Sequence, residues 1–273
     1  MTRVGFIGLG SQGGPIARRI AEEGYPLTVW ARRRESVEPF REKGARVAST
    51  PADLGAASDL VGLCVVADAD IEDVLLRSDG VLAGMSSGAI VAIHSTVHPD
   101  TCRRVAERAA ERGVAIVDAP VSGGGGAAAE RKLLVMAGGD AEHVARCRPV
   151  FETFADPVIH LGPLGSGQLA KLLNNLVFTA QMTLALDTFS FAERLGMNRA
   201  ALAQVLASGS GGSRAAAILA ASGFDTSRLR QAAPLLRKDV GIMLDVARAM
   251  GVPEPAAVVA LAHDTLATLG NKK

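Results

Sequence analysis

The chain has 273 residues, with 29 lysines and arginines against 28 aspartates and glutamates, giving a formal net charge of +1. So even a balance offers no electrostatic reason for nucleic acid or an acidic membrane surface as a partner, and an aromatic content of 4% leaves little for base stacking. Cys64, Cys102 and Cys147 form no CxxC pair and no secretory pattern opens the chain, so a cytoplasmic protein without a disulfide framework is expected.

The first half alternates short apolar runs with amphipathic stretches. RVGFIGLG reads as a strand entering a glycine turn, GPIARRIAEEG as a helix closed by Gly24, and PLTVWA as a second strand. SDLVGLCVV, AIVAIHST and VAIVDAP read as further strands, separated by ADIEDVLL and by a helix from Pro99 to about Arg112. Continuously apolar strands alternating with helices imply a parallel sheet covered on both faces, with a core of Ala, Val, Leu and Ile. Near residue 162 the periodicity becomes helical: one helix spans 166–196, and others fall at 198–208, 226–250 and 254–269. The fold class expected is α/β: an N-terminal Rossmann-type parallel-sheet domain (1–162) and a C-terminal all-α domain (163–273), joined by the long helix. The apolar segment 169–192 carries Lys171, Asn174, Asn175 and Asp187, too polar for a comfortable membrane span.

Gly8-Leu9-Gly10-Ser11-Gln12-Gly13 fits GxGxxG directly after a strand and at the start of a helix, where backbone N–H groups and the helix dipole suit a pyrophosphate. An NAD site usually ends its second strand with Asp or Glu for the ribose 2′-OH. Here the strand runs into Ala31-Arg32-Arg33-Arg34, so NADP is expected, with NAD as the alternative: Arg32 and Arg33 would grip a 2′-phosphate.

A second glycine stretch, Gly123 to Gly126, follows DAPVS at the end of a strand. Parallel strands end at a common carboxyl edge, so Ser122 and backbone N–H groups of this stretch would hold a small carboxylate there. Lys171 and Asn175 stand four apart in an apolar helix and share a face. Lys171 reads either as a snorkelling side chain or as a proton-transfer group. As a donor the ammonium is ready; as a base it needs desolvation or nearby positive charge, as in a cleft between the two domains. The histidines show no metal-ligand spacing, so no metal site is expected, and His94 and His98 read as polar loop residues beside Ser95-Thr96.

GFIGLGSQG, DAPVSGG, GSGQLAKLLNN and KDV at 238–240 together resemble, in order and spacing, the β-hydroxyacid dehydrogenases, a family that includes 3-hydroxyisobutyrate dehydrogenase and glyoxylate/succinic semialdehyde reductase. The resemblance implies NAD(P)-dependent hydride transfer to and from short 3-hydroxy acids or semialdehyde carboxylates. It makes Lys171 the general acid/base and Asn175 the residue orienting the substrate oxygen, with Ser122, Gly123 and Gly124 on the carboxylate. Thr96 would sit beside the nicotinamide and Lys238 near cofactor and substrate. A dimer or tetramer through the helical domain is also implied.

The chain departs from the family pattern at four places. Gln12 replaces the frequent Met, Ala31 the usual Asn, and Arg131-Lys132 a Gly-Thr pair. Arg131 reads as solvated; the alternative is an added charge for a doubly anionic substrate. Ser210 and Ser213, in SGSGGSR, fall where the family places a substrate loop. Imine reductases share the architecture and carry Asp or Tyr where Lys171 stands, which counts against imine chemistry here. A non-catalytic NADP-binding module is a third reading, and the retained lysine counts against it too.

Overall fold

A computed structural model describes residues 1–270, which form two compact units that divide between Lys171 and Leu172. The first begins β1 (Val4–Ile7), α1 (Gly13–Glu22), β2 (Leu27–Trp30), α2 (Glu38–Arg41), β3 (Arg46–Val47), α3 (Pro51–Ala56) and β4 (Leu60–Leu63). It continues with α4 (Asp68–Leu76), α5 (Val81–Gly84), β5 (Ile90–Ile93), α6 (Pro99–Ala110) and β6 (Ala115–Asp118). Then come β7 (Val121–Ser122), α7 (Gly124–Ala129), β8 (Leu133–Ala137), α8 (Ala141–Phe151) and β9 (Ala155–His160).

Strands β1 to β6 form one parallel sheet in the order β3-β2-β1-β4-β5-β6. Alternate residues of each strand serve opposite faces. Val4, Phe6, Leu60, Ile90 and Ala92 pack with Ile16 and Ile20 of α1 and with Val150 and Phe151 of α8. Ile7, Val61, Leu63, Val91 and Ile93 pack with Leu54 of α3, Val74 of α4 and Val105 of α6. Both faces are therefore dry, as the unbroken apolar runs imply. The core is not purely aliphatic: Phe6, Phe151 and Phe154 are among its largest fully buried side chains.

Strands β7, β8 and β9 make a second, three-stranded sheet that the sequence reading did not anticipate, with β7 antiparallel and β9 parallel to β8. Between β7 and β8 lies α7, which packs on α1. There the chain needs a bare backbone. A Cβ on Gly125 would collide with the Ser11 carbonyl oxygen, so α7 lies directly on the first glycine loop. Gly126, one residue on, would place a Cβ in open space.

Helix α9 runs from Ser166 to Arg194 and continues from the first unit into the second, which also holds α10 (Arg199–Ser208), α11 (Arg214–Ala221), α12 (Ser227–Ala249) and α13 (Ala256–Gly270). The sequence reading missed α11, which Ser213 caps by accepting from Ala216 N–H at 3.1 Å. Leu173, Val177, Leu184, Phe191 and Leu195 are about half exposed, and on an ideal helix they fall within an arc of about 40°. No helix among the described residues is long and apolar enough to cross a membrane.

The contrast between the two neighbouring glycines is measurable. Gly125→Ala should lower stability by about 1–3 kcal/mol through overpacking, whereas Gly126→Ala should be neutral or slightly stabilising as a helix former. Thermal melting of the two variants checks this; equal melting points would show that α7 does not bear on Ser11.

Candidate active site

Because the main sheet is parallel, the loops after β1, β4, β5 and β6 leave one edge. Gly8 turns out of β1 with a φ of +98°, and a Cβ on it would strike the Cys64 carbonyl after β4. Gly13 presses against the Gly8 carbonyl, opening α1 immediately behind the turn. Gly10, in contrast, has open space where a Cβ would be. The first turn of α1 carries no acidic residue, and Gln12 Nε2 is buried without a hydrogen-bond partner. A buried amide donor left unmatched is costly and calls for an acceptor. Gly8, Gly10, Ser11, Gln12 and Gly13 thus fit an anionic dinucleotide that brings its own acceptors to this loop.

Arg32 and Arg33 lie past the end of β2. Arg32 is held by two carboxylates from α4, Nη1 at 2.7 Å from Asp70 Oδ1 and Nη2 at 3.2 Å from Asp73 Oδ2. Arg33 precedes a short 3-10 turn and is exposed. No carboxylate stands at the end of β2 itself, where Trp30 and Ala31 are followed by three arginines.

The loop after β5 is pinned from two directions. Ser95, 3% exposed, accepts from Val65 N–H through Oγ at 2.8 Å, which ties it to the end of β4. Gln168, on the first turn of α9 and fully buried, donates from Nε2 to the Ser95 carbonyl at 2.8 Å and accepts from Val97 N–H through Oε1 at 3.0 Å. Thr96 sits between these two anchored residues and is itself partly exposed. His98 accepts from Asp100 N–H and so caps α6.

Asp118 closes β6 and is fully buried. Its Oδ1 accepts from Gly165 N–H and its Oδ2 from Gln168 N–H, both at 2.7 Å. A carboxylate 47 residues upstream therefore caps α9, where the helix dipole favours negative charge. Burial pushes the Asp118 carboxyl up from its ordinary range, and the N–H donors of Gly165 and Gln168 oppose that shift. Ser122 and Gly123 follow at the end of β7, with Gly123 and Gly124 at φ of +133° and +79°. Lys171, half-buried, stands three residues after Gln168, about 4.5 Å along α9 and about 60° around it.

In the helical unit, buried Asn175 donates from Nδ2 to Asp239 Oδ2 at 2.6 Å and accepts from Asn174 Nδ2 at 3.0 Å. Lys238 Nζ lies 2.9 Å from Asp239 Oδ1, so Asp239 joins Asn175 to Lys238. The sequence reading missed the partnering role of Asp239, although KDV contained it. Arg131 is ion-paired away from the glycine turn: its guanidinium lies 3.1 Å from Glu23, at the far end of α1. It lines an open depression of about 480 Å³ with Met1, Tyr25 and Glu152. Ser213 is used as a helix cap.

Residues 3–162 match the NAD-binding domain of 6-phosphogluconate dehydrogenase, and residues 165–273 match the NAD-binding domain of NADP-dependent 3-hydroxyisobutyrate dehydrogenase. An NAD-dependent L-serine dehydrogenase of Pseudomonas aeruginosa is 33% identical over 96% of this chain and 90% of its own length. The chain belongs to the β-hydroxyacid dehydrogenase family. It is an NAD(P)-dependent oxidoreductase with that family's fold. A Mycobacterium tuberculosis 3-hydroxyisobutyrate dehydrogenase solved with L-serine superposes with a TM-score of 0.84 at 25% identity, covering 99% of this chain and all of its own. Psf3, solved with NADP+ and 2-OPP, gives 0.84 at 29%, covering 97% of this chain and 93% of its own. An imine reductase from Pseudomonas sp., 20% identical with a TM-score of 0.68 over 98% of this chain and 95% of its own, shares the fold alone. Among the described residues no group of three His, Cys, Asp or Glu side chains is arranged to hold a metal ion.

His94 is a core residue and not the polar loop residue expected. It is 4% exposed, its Nδ1 lies 2.8 Å from the Ala119 carbonyl oxygen, and its ring stacks on Phe6 and meets Phe151 and Phe154 edge-on. Burial among these rings pushes its pKa down to about 4. The unfolded chain therefore binds the extra proton first as pH falls. Native stability should drop between about pH 6.5 and pH 4, by on the order of 3 kcal/mol in full. Denaturant unfolding across that range, compared with His94→Gln, checks the sign; equal acid losses in both proteins would remove His94 as the cause.

Proposed function

We propose that the protein is an NADP-preferring dehydrogenase or reductase acting between a short 3-hydroxy acid and its semialdehyde carboxylate, with Lys171 as general acid/base. One observation carries the reading. Lys171 stands a single turn beyond Gln168, whose side chain holds the Thr96 loop at the carboxyl edge of the sheet. When bound, the nicotinamide supplies or accepts the hydride. Thr96 would flank it, and Gly8, Gly10, Ser11, Gln12 and Gly13 would receive the pyrophosphate. The Lys171 ammonium gives a proton to the carbonyl oxygen in reduction and takes it back from the hydroxyl in oxidation. Asn175 shares a face of α9 with Lys171 and keeps one amide proton besides that engaged by Asp239, so it can orient the same oxygen. Ser122 and the N–H groups of Gly123 and Gly124 would take the carboxylate, and the resemblance alone assigns Lys238 a role toward cofactor and substrate.

L-serine is itself a 3-hydroxy acid, and the serine-linked names among the relatives put it in the substrate panel. NADP preference rests on Arg33 and Arg32, the latter having to share its fork with Asp70 and Asp73. We also assign the exposed apolar stripe of α9 to a homo-oligomer of this chain, a dimer or tetramer through the helical unit. Regular half-exposed Leu, Val and Phe on one arc are the pattern of a helix that packs on another.

NADPH oxidation with glyoxylate, succinic semialdehyde and tartronate semialdehyde, and NADP+ reduction with L-serine, test the activity. Lys171→Ala should lose about 10²–10⁴-fold in turnover with NADPH still bound; an equally fast variant would remove Lys171 from the mechanism. Changing Arg32 and Arg33 together to Ala should weaken NADPH about 10–100-fold and NADH far less; equal losses would refute 2′-phosphate recognition. In sedimentation experiments, Leu184→Glu with Phe191→Glu should yield a smaller species than wild type. A monomeric wild type would sink the stripe's assignment.

A further inference from the structure

We propose that Gln168 is a positioning residue for the reaction, fixing the proton donor of α9 relative to the Thr96 loop. The inference rests on the reading of Lys171 as general acid/base. The Gln168 amide is fully buried and uses both ends on the same loop: Nε2 on the Ser95 carbonyl at 2.8 Å, Oε1 on Val97 N–H at 3.0 Å. It acts as one rung of an added strand, spanning Thr96 and leaving that residue partly exposed between its two anchors. Among neutral side chains of this length, only a carboxamide presents one donor and one acceptor at such a tip. The backbone of Gln168 is fixed in turn, since its N–H donates to buried Asp118 at 2.7 Å.

The arrangement separates positioning from folding. The loop does not depend on Gln168 for its place on the sheet, because Ser95 Oγ binds Val65 N–H at the end of β4 and Asp68 accepts from His98 N–H at 2.8 Å. Helix α9 does not depend on it either, because Asp118 also accepts from Gly165 N–H. Loss of the amide therefore removes these two hydrogen bonds between loop and helix while each keeps its own anchor. Lys171, one turn along, would no longer be held at a set distance from the loop that flanks the reacting ring, and misplacement by about 1 Å can cost about a hundredfold in rate.

Two variants test this. Gln168→Leu keeps the bulk and removes both bonds. Its kcat should fall by about a hundredfold while NADPH affinity, read by fluorescence, and the folded fraction change little. Gln168→Glu offers a titratable copy. The protonated carboxyl can donate to the Ser95 carbonyl and accept from Val97 N–H, whereas the carboxylate sets a lone pair against the carbonyl. Its kcat should approach wild type at low pH and fall as pH rises, on a limb absent from wild type and from the Leu variant. A folded Leu variant with wild-type kcat overturns the proposal, as does a loss of kcat fully matched by lost NADPH binding. If the Leu variant does not fold, the Glu variant decides: a falling limb supports the proposal and a flat profile overturns it. A fast Lys171→Ala would sink the assignment of Lys171 instead, and that result is independent of these.

Discussion

A buried carboxylate at the start of a 29-residue helix is the constraint on which the rest of the first unit turns. Asp118 is fully buried, and burial alone would make its charge expensive. It is tolerated because two short N–H bonds and the positive end of the helix meet it. Once Asp118 fixes the first turn of α9, Gln168 can reach the β5 loop and Lys171 follows at a set height. Removing that carboxylate would leave several buried N–H groups without an acceptor where the sequence motifs converge.

The parts of the architecture legible in the sequence were those with local signals. GxGxxG after an apolar strand, the alternation of β and α segments and the long helical period each lie within one window of chain. The second sheet was not legible. Strand β7 has two residues, and β9 shows a buried-exposed-exposed repeat that matches neither strand periodicity nor a helix. Helix α11 was hidden because a glycine-rich run precedes it and its cap is a single serine.

The partners of the candidate site residues were the least legible of all. Gln168 is 73 residues from Ser95, Asp118 is 47 from Gly165, and Arg32 is 41 from Asp73. No spacing rule links such pairs, so a sequence reading sees three arginines after β2 and assigns Arg32 and Arg33 to a phosphate. The fold shows that one of them already answers to two carboxylates. His94 misleads for the same reason: a histidine beside Ser-Thr reads as polar, yet Phe6, Phe151 and Phe154 close around it from distant segments.

The contact of Gly125 with the Ser11 carbonyl has a consequence for how this molecule responds to its ligands. With no side chain between them, the two loops touch backbone to backbone, and neither has slack to shift alone. Under the proposed assignment, an adjustment that a nucleotide imposed on one would reach the other, and by reciprocity a carboxylate on the second would alter the grip on the first. The two proposed sites would thus communicate through a single spot too tight for a methyl group.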